Sequence, residues 1–267
     1  MKINISRDAR PQALTLLVAA AISIALWFIP FAELLTYPFR IFVTFIHEGG
    51  HAIAALLTGN SVMSLSVAMN TSGLTQTTQG GVISQVVVSS AGYLGAMTYG
   101  ALLLLLIRRV VAARAVLIGS AAFIFLLTLI FGLWQPLAHS LVPSVQLSGI
   151  PFTLLAGIIL SLALVAVAKY ANPRAATFFV SFLAVQCILN ALLDLKTVFF
   201  LSSPFAPEVH TDALNMARAT GIPSIFWAIA WIGLAFLILS LAMRAYAVSR
   251  QRSAVQPDLP FEEPLDV

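Results

Sequence analysis

The chain has 267 residues, of which 60% are hydrophobic and only 9% charged, with a mean hydropathy of +0.98. Soluble domains carry about 25% charged residues, so this composition excludes one and points to an integral membrane protein whose length is used up by spans. The net charge of +4 is dispersed in short basic clusters between apolar runs, as membrane topology demands. Nucleic-acid binding needs a continuous basic face and is excluded as a partner class. The single cysteine, Cys187, lies in an apolar run and reads as a small core residue.

A membrane-crossing helix takes about 20 mostly apolar residues. After a polar, basic start, the first run extends from about Ala13 to Ala32 and lacks an A-x-A-like site at its end. It therefore reads as a retained span rather than a signal peptide. The second run, about 38–57, opens with Arg40 placed to snorkel to the interface. Residues 59–81 then form a charge-free segment rich in Ser, Thr, Asn, Gln and Gly, with local alternation at Val62, Leu65 and Val67. Two readings stay open: a solvated connector, or a re-entrant hairpin offering strand edges to an unwound substrate. Non-helical backbone at membrane depth is tolerated where it is buried in protein or lines a wet cavity.

Further apolar runs follow at about 82–107, 115–133, 150–168, 175–201 and 225–243. The third run carries Ser89, Ser90, Ala91, Gly92, Gly95 and Ala96, a density of small residues that points to close helix packing rather than substrate contact. His139 reads as an ordinary loop histidine. Basic clusters at 108–114, 169–174 and 244–252 are each separated by two spans, so all three can be cytoplasmic. Seven full crossings would then leave the basic N-terminal tail on the other side, so either that tail departs from the bias or one of the assigned elements is not a simple crossing. The expected fold class is an all-α polytopic bundle of about six to seven transmembrane helices with one polar, hairpin-like segment. Residues 1–247 form a single membrane domain, and the acidic, proline-bearing 248–267 reads as a disordered tail.

Within the second run stands His47-Glu48-Gly49-Gly50-His51, an H-E-x-x-H. On a helix the two imidazoles share one face about a turn apart. At that spacing they suit one tetrahedral Zn²⁺, with Glu48 reaching the zinc-bound water as general base. Polar ionisable groups inside a membrane are expensive and mark functional sites. Catalytic zinc takes three protein ligands and keeps one position open. Glu48 and Asp194 are the acids within the apolar runs, which makes Asp194 the expected third ligand. Asn190, one turn earlier on the same face, is placed to bond that carboxylate or a substrate carbonyl. Asp212 and His210, beside a helix opening at Thr211, are the rival ligands.

The motif helix, the polar segment, the small-residue helix at Ala91-Gly92-Tyr93 and the later Asn190…Leu193-Asp194 resemble the site-2 protease family of zinc intramembrane metalloproteases, in its compact bacterial branch without a PDZ domain. The resemblance spans about Phe39 to Ala217. It departs from the family pattern in lacking a proline after Asn190 and in having Leu195 where that pattern has glycine. It implies zinc-dependent cleavage of another protein's transmembrane helix in the cell membrane of a bacterium. The alternatives are a catalytically inactive scaffold or assembly factor retaining the motif, and a metal transporter; transport would call for further ligands along a path, and the spans offer almost none.

Overall fold

The computed structural model describes residues 10–78, 80–108, 112–203 and 209–247. Helix α1, Arg10–Ala25, passes through a 3-10 turn at Leu26–Phe28 into α2, Glu33–Leu57. A hairpin of β1, Val62–Val67, and β2, Gly73–Thr77, leads to α3, Val82–Arg108. Helix α4, Ala113–Leu127, continues through a π-helical stretch, Thr128–Trp134, into α5, Gln135–Ala138. Helices α6, Ile150–Tyr170, α7, Pro173–Leu201, the short α8, Asp212–Thr220, and α9, Ser224–Ala247, complete the order.

Among the described residues, five helical stretches are long and apolar enough to cross a membrane: Val82–Ile107, Ala113–Ala138, Leu147–Tyr170, Pro173–Leu201 and Ser224–Tyr246. These correspond to the third through seventh expected spans, and the chain is a multi-pass, all-α membrane protein. Among the described residues the two earlier runs do not reach that length and hydropathy. The first breaks after residue 28, where Phe31 takes a left-handed φ of 64°, and its apolar helical part is only Leu14–Ala25. The second begins five residues before Pro38 and carries Glu33, Arg40 and Glu48, which lowers its hydropathy. The expected tail, 248–267, lies outside the described residues.

Helix α3 is the central post, packing on α2, α7, α8 and α9, while α4 packs on α6. Its small residues explain the closeness of the first contact: a Cβ on Gly50 would overlap the Ala91 carbonyl oxygen. Two consecutive glycines inside α2 cost helix propensity, about 1 kcal/mol each against alanine. Gly50 is required by that backbone contact, whereas a Cβ on Gly49 would lie 2.7 Å from Leu127 Cδ1, a side-chain end that would have to shift. The close packing expected of Gly92 and its neighbours is therefore met, and Gly92 has a second use described below.

The polar segment is a hairpin held in place, not a solvated connector. Strands β1 and β2 pair antiparallel with an irregularity between Val62 and Ser64. The alternating Val62, Leu65 and Val67 are each 1% exposed, turned into the helical core. The outer edge of β1 docks on the bundle: the fully buried Thr153 of α6 accepts the Val67 N–H at 2.9 Å and donates to the Gly149 carbonyl at 2.8 Å. From the next connection, Ser144 offers its carbonyl to Gln76 at 2.5 Å. With β1 covered, the outer edge of β2 is left bordering the groove where the polar side chains gather.

Losing the partner of a buried N–H costs about 1–3 kcal/mol. Thr153→Val is expected to lower the thermal unfolding midpoint in detergent by that order of stability, with Thr153→Ser close to wild type.

Candidate metal centre

Helix α2 presents Arg40, Thr44, His47, Glu48 and His51 along one side, all bordering a groove of ≈ 2280 Å³ that is also lined by β2, α7 and α8. His47 Nε2 and His51 Nε2 lie 3.1 Å apart. Asp212 Oδ2, from the first turn of α8, lies 3.5 Å from the former and 3.3 Å from the latter. Among the described residues these three form the one cluster of potential metal ligands.

The spacing fits zinc. Bonds of 2.0–2.1 Å directed to the corners of a tetrahedron set ligand atoms roughly 3.3 Å apart, and the three observed separations straddle that value. There is also room for an ion. A Cβ built on Gly92 of α3 would sit within 3.0 Å of both His47 Nε2 and His51 Nε2, so the absent side chain leaves a hollow between the ligand nitrogens.

Each candidate ligand is oriented by its surroundings. His51 is buried, and its Nδ1 donates to the Val88 carbonyl at 2.7 Å, which leaves Nε2 as the lone-pair nitrogen facing the cluster. His47 lies edge-on to Tyr93, ring centroids 4.6 Å apart, and Tyr93 rests against Trp231. Trp231 is anchored in turn by donating to Ser90 Oγ at 2.9 Å. Asp212 follows the N-cap Thr211, whose hydroxyl accepts the Leu214 N–H at 3.2 Å. Fully buried Ala213 and Met216 hold α8 down on the bundle. Burial works against charge on the Asp212 carboxyl, but the neighbouring His51 and His47 outweigh it and hold Asp212 below the usual carboxylate range.

Glu48 is buried and held by the hairpin. Thr75 Oγ1 of β2 lies 2.6 Å from Glu48 Oε2 and 3.1 Å from the Glu48 carbonyl, donating to one or the other. At the start of the same strand, a Cβ on Gly73 would overlap the carboxylate. Strand β2 thus passes directly over the candidate base.

The structure brings Asp212, not Asp194, to the histidines. Asp194 lines the groove on α7, apart from the cluster. Asn190 also borders the groove, with its amide donating to the backbone and side-chain oxygens of Gln186 at 2.8 and 3.1 Å. It is turned back onto its own helix and away from a bond to Asp194 or a substrate carbonyl. Of the rival pair, Asp212 reaches the histidines, whereas His210 is exposed at the groove margin. His139 is the expected loop histidine, bonded through Nδ1 to the Gln135 carbonyl at 2.9 Å. Sequence reasoning missed Thr75 and Gly92; Asp212 was visible as an acid at the opening of a short amphipathic helix.

A multi-pass helical membrane protein with an H-E-x-x-H helix and a nearby carboxylate belongs, by architecture, with membrane metalloproteases. Residues 15–242 match the Peptidase M50B-like family, and the chain belongs to that family. Comparisons with curated proteins and with solved structures returned no match.

Gly92→Ala is expected to abolish zinc retention by filling the hollow between His47 and His51. Gly95→Ala serves as the control: its Cβ would meet nothing nearer than the Gly50 Cα, at 3.5 Å. Metal content after purification in detergent checks the pair.

Proposed function

We propose that the chain is a zinc-dependent intramembrane endopeptidase that cuts a membrane-spanning protein substrate, with His47, His51 and Asp212 as metal ligands and Glu48 as general base. The observation that carries this reading is the set of three ligand atoms at tetrahedral spacing around the Gly92 hollow, with Glu48 on the next position of the same helix. When bound, zinc would polarise the scissile carbonyl and lower the pKa of a coordinated water towards ~7.

The protein's own groups supply the remainder. Glu48 takes a proton from the attacking water and returns it to the leaving amine. Thr75 keeps that carboxylate aimed into the groove. A substrate segment unwound from its helix lies along the outer edge of β2, where backbone hydrogen bonds replace those it gave up. The groove's polar lining admits the water that hydrolysis consumes. Asp194 and Arg40 belong to the groove wall in this reading, and Asn190 is a lining residue rather than a partner of the reacting carbonyl. The expected setting is the plasma membrane of a bacterium.

Zinc content of the detergent-purified protein tests the ligand set. One zinc per chain is expected for wild type and Asp194→Ala, and none for His47→Ala or Asp212→Ala. Loss with Asp194→Ala but not with Asp212→Ala would reverse the assignment of the third ligand. Glu48→Gln is expected to keep its zinc while losing at least ~100-fold in cleavage, in the range of a general acid–base contribution. Unchanged cleavage by that variant would remove Glu48 from the chemistry.

A further inference from the structure

An extended segment in the groove has two edges. Along a strand, successive residues turn their N–H and C=O groups to one side and then to the other. The groups turned towards β2 pair with its outer edge. Those turned the other way need partners as well, because an unpaired amide away from water is costly. Their partners must come from the wall opposite β2.

That wall is α8. Strand β2 packs on β1 and α2, whereas α8 packs on α3 and α9, and both line the groove. They approach the centre from different sides: β2 meets Glu48 through Thr75, and α8 meets His47 and His51 through Asp212. On α8, Ala213 and Met216 are 0% exposed and face the bundle. Each step of three residues turns the side chain by about 60° round an α-helix, so Asp212, Asn215 and Arg218 run along the flank beside that buried face. All three line the groove. The Asn215 Cβ therefore lies about 5–6 Å from that of Asp212, one turn further along the wall.

Of the polar side chains on this wall, Asn215 is the one with hydrogen-bonding capacity to spare in both senses. The Thr211 hydroxyl takes the Leu214 N–H, and Asp212 faces the histidines. Arg218 is exposed and offers donors only. Asn215 is half-buried, and among the described residues nothing bonds its side-chain amide. A primary amide carries a donor and an acceptor together, the same pair that a residue presents at a strand edge. Asn190, the amide on α7, has both N–H groups engaged by Gln186, which is tied in turn to Ser23 of α1 at 3.2 Å.

We propose that Asn215 holds the far edge of the bound peptide, donating to one of its backbone carbonyls and accepting one of its backbone N–H groups beside the metal centre. The inference deepens the protease reading and rests on it for the existence of a bound peptide. Recognition at this point is then a matter of backbone and not of side chain. Any segment able to unwind and lie extended meets the same two walls. A proline whose nitrogen faces Asn215 lacks the N–H and is disfavoured there.

Zinc-chelating hydroxamates test this on the full-length, zinc-loaded protein in detergent. Acetohydroxamate reaches the metal with no peptide attached. Two further hydroxamates carry an apolar tripeptide, one before the chelating group and the other after it, and calorimetric titration gives the dissociation constants. Wild type is expected to bind at least one peptide compound more tightly than acetohydroxamate. Asn215→Ala is expected to weaken that compound roughly 10-fold, the size of one or two neutral hydrogen bonds, and to leave acetohydroxamate unchanged. Asn215→Leu, close in volume and without polar atoms, is the second variant should the first fail to accumulate. Unchanged affinity for the peptide compounds overturns the inference. So does an equal loss for all three compounds, which would assign Asn215 to the metal centre, and so does a loss seen with Asn190→Ala but not with Asn215→Ala. Zinc-loaded wild type that binds acetohydroxamate and gains nothing from the peptide overturns this inference alone. Protein that retains no zinc, or binds no hydroxamate, overturns the protease reading beneath it.

Discussion

The close crossing of α2 and α3 is the contact on which the centre depends. Helix axes normally stand 8–10 Å apart, with side chains filling the gap. Here Gly50 lies against the Ala91 backbone and Gly92 against the two imidazoles, so the same approach that seals the core leaves a space between the imidazole nitrogens. Small residues have an established use in membranes, where helices lack the hydrophobic drive that water supplies and associate largely through close packing. In this chain that packing also shapes the ligand cluster. The motif helix and the small-residue helix form one device.

Polar groups in this setting must be satisfied by the protein itself, because hydrocarbon offers no partners. The hairpin meets that requirement on three fronts. Its backbone pairs strand to strand, its outer edge is covered through Thr153 and its inner strand gives Thr75 to Glu48. The π-helical stretch Thr128–Trp134 belongs to the same arrangement, since Gly132 there packs against Thr153 and approaches the Leu65 carbonyl. Departures from regular helix of this kind tend to occur at functional positions. Here the departure shapes the bed on which the hairpin lies.

Much of this was legible in the sequence for reasons of locality. His47 and His51 are four residues apart on one helix, so their convergence is fixed by helix geometry alone. The partial alternation of Val62, Leu65 and Val67 indicated an extended loop or hairpin. Asp212 was harder because its approach to the histidines is tertiary: it depends on Ala213 and Met216 seating α8 against the bundle. The preference for Asp194 assumed that a ligand for a membrane-embedded centre must lie in an apolar run. A short helix in a connection satisfies the same geometry by reaching in from the groove. Hydropathy registers the first two apolar runs but not the break at Phe31 or the helical turns that precede Pro38.

On the proposed ligand set, the centre is assembled from the two ends of the chain. The histidines and the base are made within the first fifth of the sequence, whereas Asp212 follows four of the five candidate spans. During synthesis the membrane therefore holds a chain with two imidazoles and a carboxylate base, but no third ligand. Such a partial site would gain its full set only after α7 has been inserted and α8 has folded back. On that ligand set the order of residues would act as a timing device, because the full site would form only with the completed bundle.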